Sequence, residues 1–88
     1  MKYLNKYGKR IVSDVLKAYL IDGLSHRKIQ ERILNMEAPA RGGGFEAMNI
    51  LHEFGITGEY KGILKRFNGN INNKFPECIN QAINFIES

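Results

Sequence analysis

Long hydrophobic runs are missing from this chain. No apolar stretch approaches the ~18 residues that a membrane-spanning helix needs, so no membrane partner is expected. The basic opening Met1-Lys2-Tyr3-Leu4-Asn5-Lys6-Tyr7 is followed by neither an apolar core nor a small-residue cleavage site, so a secretory signal is not expected either. Cysteine is almost absent. Cys78, standing alone, can form no internal disulfide and supplies no metal cluster, which points to a reducing, cytoplasmic location. Two histidines and nine scattered acids offer no compact catalytic constellation, so a non-enzyme without cofactors is expected. What remains is an 88-residue chain, 43% hydrophobic and 25% charged. Those are ordinary globular proportions, so one small folded domain is expected rather than disorder.

The charge is basic and uneven. The net charge is +4, and residues 1–41 hold nine Lys/Arg against Asp14, Asp22, Glu31 and Glu37. The second half is slightly acidic. A one-sided basic excess concentrates polyanions such as nucleic acid, although a solvated face that only maintains solubility has the same composition.

Apolar spacing is mostly helical. Val12, Val15, Leu16, Tyr19 and Leu20 fall at i, i+3, i+4, i+7 and i+8, and Gly23 ends this first helix. Ser25 stands where an N-cap belongs, with Leu24 and Ile29 spaced as a hydrophobic staple. A second helix is predicted over His26 to Leu34, with Gln30 among its outward polar residues and Asn35 as its C-cap. After a Pro- and Gly-containing loop, a third helix starts near Phe45, with Ala47, Met48, Leu51 and Phe54 inward, and closes at Gly55-Ile56. The stretch Thr57 to Phe67 reads as a helix from Tyr60, Ile63, Leu64 and Phe67. The turn signal Asn68-Gly69 offers a small β-wing over 61–72 instead, and the helix is favoured. A last helix is predicted from Pro76 to Ile86 and runs into Glu87-Ser88 uncapped, which fits a domain taken from a longer protein. The expected fold is all-α: a compact bundle of about five short helices around a helix-turn-helix-like core.

Three glycines, Gly42, Gly43 and Gly44, lie directly before a helix, where free N–H groups and a partial positive charge could meet a phosphate, with Arg41 beside them. The GKS/GKT ending of a nucleotide-binding loop is missing. A flexible connection between two packed helices explains the same residues. Two helix-turn-helix assignments are open. In one, the third helix reads bases, with Asn49 and His52 facing them, although Glu46 and Glu53 would repel phosphates unless turned away. In the other, the tight Asp22–Ser25 turn makes the second helix the reader, with His26, Arg27, Lys28, Gln30 and Arg32. Lys61, Lys65 and Arg66 form a second candidate phosphate patch. His52-Glu53 and His26 have no metal-ligand spacing, Cys78 reads as core, and the tyrosines read as packing.

The segment Gly23-Leu24-Ser25-His26-Arg27-Lys28-Ile29-Gln30 resembles the support-helix opening of bacterial helix-turn-helix regulators. A longer pattern covers Ser25–Gln30, then Ala38-Pro39-Ala40-Arg41-Gly42-Gly43-Gly44-Phe45-Glu46-Ala47-Met48, Ile50-Leu51-His52, Gly55-Ile56 and Lys61-Gly62-Ile63-Leu64. It is similar to N-terminal modules of bacterial HNH-type, modification-dependent restriction endonucleases, across roughly residues 10–66. That resemblance implies a target-recognition module of a restriction system, with the nuclease domain elsewhere in the parent chain, because no HNH motif occurs here. The long Gly-rich turn departs from the compact regulator pattern.

The reading that emerges is a non-catalytic winged-helix or helix-turn-helix-like module binding double-stranded DNA. Arg27, Lys28, Arg32 and Arg41 would dock on phosphates, Gly42–Gly44 would fix the register, and Asn49 and His52 would probe base edges. The competing reading is a helical protein-interaction module, an adaptor or a phage-encoded inhibitor, whose basic face meets an acidic protein.

Overall fold

The computed structural model describes residues 1–37, 43–66 and 74–88. Arg41 and Gly42, and the Asn68-Gly69 signal for a wing, lie outside the described residues. The architecture is all-α. Four helices occur among the described residues: α1 (Lys2–Leu20), α2 (His26–Arg32), α3 (Phe45–Glu53) and α4 (Glu77–Glu87), with a 3-10 turn at Gly58–Tyr60.

α1 forms the central post. Its five-residue apolar stripe is fully buried, as the spacing predicts, and α2, α3 and α4 each pack against it through Ile29, Ile50, Leu51, Ile79 and Ile83. Each such aliphatic side chain contributes roughly 1.5–3 kcal/mol by leaving water. The carbonyls at the C-terminal end of α1 are all satisfied. Ile21 and Asp22 N–H donate to Lys17 O, and Leu24 N–H donates to Ala18 O. The remaining two receive donors from far along the chain: Gly62 N–H to Tyr19 O at 2.9 Å and Leu64 N–H to Leu20 O at 2.8 Å.

This docking explains why 57–66 is not the predicted helix; Phe67 lies outside the described residues. The N–H groups of Gly62 and Leu64 are spent on α1, so the segment is a 3-10 turn followed by turns through 66, and only Leu64 is deeply buried. Among the described residues no strand forms. α2 is shorter than expected: it stops at Arg32, and Asn35, at φ +53°, turns the chain away. Its start follows the sequence reading, with Ser25 Oγ accepting the Lys28 N–H at 3.2 Å. Gln30 departs from its expected outward position. It is buried, and its Oε1 accepts the Glu46 N–H at 3.0 Å while its Nε2 donates to Glu37 O at 3.2 Å. A glutamine of α2 thereby satisfies a free donor in the first turn of α3. In α3 the buried residues are Ala47, Ile50 and Leu51, while Met48 and Phe54 are half-buried. Pro76 precedes α4 as its cap residue rather than opening it.

Gly44 sets the α2–α3 junction. It is buried at φ +96°, and a Cβ there would lie 2.6 Å from both the Arg27 nitrogen and the His26 carbonyl carbon. Backbone cannot yield at that distance. Gly44→Ala is therefore expected to destabilise the fold by about 3 kcal/mol or more, through overpacking combined with left-handed strain. Urea denaturation checks this; an unchanged midpoint would remove the close approach as a determinant of the fold.

Candidate nucleic-acid interface

The N-terminal capping of α2 by Ser25 puts His26 at the first helical position, just past the tight turn that follows α1. Its imidazole lies flat on the Tyr19 ring, with centroids 5.0 Å apart and planes 7° from parallel. Tyr19, read from sequence as packing, is therefore the floor beneath a site histidine. Burial lowers the His26 pKa below 6.5, and the charges of His52 and Lys61 lower it further. The end of α3 and the turn docked on α1 bring His52 and Lys61 into electrostatic range of His26. Lys65 and Arg66 lie exposed on the same turn as Lys61.

Beside this cluster, α2 presents Arg27, Lys28, Glu31 and Arg32 to solvent. Arg27 Nε pairs with Glu31 Oε1 at 3.0 Å, one helical turn away. At roughly half exposure on each side, that pair is worth only a few tenths of a kcal/mol and can be exchanged for a phosphate. Phe45 and His52, seven residues apart, share one exposed stripe of α3, and Phe45 is 61% exposed.

The other sequence candidates separate from this face. Asn49 is half-buried on a neighbouring side of α3, where its amide donates to Tyr3 Oη at 3.2 Å. That occupies the group expected to reach bases. Gly44 packs against the first turn of α2, and Gly43 is half-buried. The two acids that seemed adverse are turned away: Glu46 Oε2 accepts from Lys6 Nζ at 2.9 Å, and the Glu53 carboxylate accepts the Lys2 and Tyr3 N–H groups at 3.0 and 2.9 Å. The Lys6 hydrogen bond holds the Glu46 pKa below 4.5. Sequence spacing did hold a signal for this, since Glu46, Asn49 and Glu53 form a polar stripe at i, i+3 and i+7. The identity of its partner did not show.

Among the described residues no three His, Cys, Asp or Glu side chains gather as metal ligands, and no helix is long and apolar enough to cross a membrane. Comparison with protein-family models, curated proteins and solved structures gives no match.

The histidine makes stability depend on pH in a defined direction. Below pH 6.5 the unfolded chain binds a proton at residue 26 that the folded chain, with its lowered pKa, does not. Stability is therefore retained above that value and falls as pH drops from 6.5 through the folded pKa. His26→Gln is expected to flatten that part of the profile. Urea midpoints measured across mildly acidic pH check this, and an unchanged slope in the variant would detach the effect from His26.

Proposed function

We propose that this chain is a non-catalytic DNA-binding module that docks on duplex phosphates. The observation that carries the reading is that the turn bearing Lys61 docks on the end of α1, with Gly62 against Gly23 of the turn that leads into α2, beside the exposed Arg27, Lys28 and Arg32. Holding Glu46 on Lys6 and Glu53 on the Lys2 and Tyr3 N–H groups strengthens it, because both carboxylates of α3 already have partners away from this face. Lysine and arginine on short turns and a seven-residue helix follow a phosphate backbone, and counterion release supplies the affinity. Lys65 and Arg66 extend the contact along the backbone. His52 and Phe45 are the side chains best able to approach a groove. In this reading the module works in the cytoplasm, and any DNA cleavage belongs to a separate nuclease domain of a parent chain, in keeping with the restriction-module resemblance.

The test is fluorescence anisotropy of a labelled duplex at several salt concentrations. A log–log slope between about −3 and −5 is expected, and Lys28→Ala or Arg32→Ala should each make it shallower by about 1, whatever the sequence of the duplex. Binding should tighten as pH falls below 6.5, because phosphate favours the protonated His26. Absence of binding at low salt would overturn the DNA reading in favour of an acidic protein partner.

A further inference from the structure

α1 is not one straight helix. Gly8 has φ +85° and ψ 162°, a combination essentially restricted to glycine, and it divides the helix into a short limb (2–7) and the long post (9–20). The limb folds back on α3 through directional polar contacts. Glu53 caps its first two N–H groups, Lys6 pairs with Glu46, and Tyr3 Oη accepts from Asn49. Tyr3 and Tyr7 stack at 6.5 Å, with Lys6 Nζ 5.2 Å from the Tyr7 ring centroid, so the limb is internally organised. No residue before Val12 belongs to the fully buried core; Tyr3, Leu4 and Tyr7 only border it. A Cβ at Gly8 would meet nothing within 4 Å. Neighbouring atoms thus leave room for a side chain at the bend, and the bend depends on a backbone state that only glycine holds cheaply.

We propose that the limb is an exchangeable element: when α1 straightens at Gly8, the limb docks on α3 of a second copy of this chain. Straightening realigns the limb, about 9 Å long, with the axis of the post and breaks its contacts with its own α3. The acceptor face then lacks a helix start for Glu53, a cation for Glu46 and a hydroxyl for Asn49. The limb of another copy supplies all three in the same arrangement. Because the core begins at Val12, the exchange leaves both cores intact, as domain swapping requires. The exchange does not require that the cationic face bind DNA.

Gly8→Ala provides the test, since alanine is disfavoured in the bent state and favoured in the straight helix. Each substitution should raise the straightened population roughly tenfold or more. Light scattering after gel filtration should then find a monomer for the parent chain and a dimer for Gly8→Ala at the same concentration. A mixture of unlabelled and isotope-labelled Gly8→Ala chains, treated with a zero-length carbodiimide cross-linker, should give a Lys6–Glu46 cross-link between light and heavy chains. A folded monomeric variant overturns the proposal, as does a dimer whose Lys6–Glu46 link stays within one chain. If Gly8→Ala does not fold, the parent chain refolded at high concentration should give the mixed-isotope link in its dimer fraction, and absence of that link overturns the proposal equally.

Discussion

The carbonyls of Lys17, Ala18, Tyr19 and Leu20 have no donors within α1, and three of those four residues are buried. A buried carbonyl without a partner costs about 1–3 kcal/mol, so the chain must deliver N–H groups to this end of the helix. The turn after α1 serves Lys17 and Ala18; Gly62 and Leu64 serve Tyr19 and Leu20 from more than forty residues away. Much else follows from those two long-range bonds. They hold the 61–66 turn over the end of α1, insert Leu64 into the core, and set Lys61 within reach of the histidine that opens α2.

Charge is sorted by the same arrangement. Successive residues on a helix point about 100° apart, so His52 and Glu53 face different neighbours although they are adjacent in sequence. His52 is exposed on the same stripe as Phe45, while Glu53 spends both oxygens on backbone N–H groups of the limb. Partial burial, followed by the nearby charges of His52 and Lys61, lowers the His26 pKa, so the folded chain takes up a proton there less readily than the unfolded one.

Where side chains decide, the sequence was informative. The buried stripe of α1, the Ser25 cap, and the closure of α3 by Gly55 and Ile56, with Ile56 N–H donating to Leu51 O, are all consequences of local spacing. The failures share one cause. Tyr60, Ile63, Leu64 and Phe67 have helical spacing, but periodicity does not report where backbone donors go, and Gly62 and Leu64 send theirs to α1. Gln30 occupies a position typical of a solvated helix face, and only the arrival of Glu46 N–H and Glu37 O makes it a buried bridge. At the candidate site, His26, His52 and Lys61 were each visible as basic residues. Their proximity was not, because it depends on the same docking that periodicity misses.

The limb and the cationic face meet in α3, which couples the two proposals. With the limb docked, Glu46 is paired with Lys6 and Glu53 is hydrogen-bonded to the helix start. With it absent, both carboxylates stand one residue from members of the proposed interface, Phe45 and His52, and their unscreened charge opposes phosphate within a Debye length of about 8 Å. Limb exchange between two copies restores those partners in each subunit, whereas simple loss of the limb does not. A chain that binds DNA in this manner can therefore tolerate the exchanged dimer but not an undocked limb. The N-terminal residues would act on affinity through the charge state of α3, without touching DNA themselves.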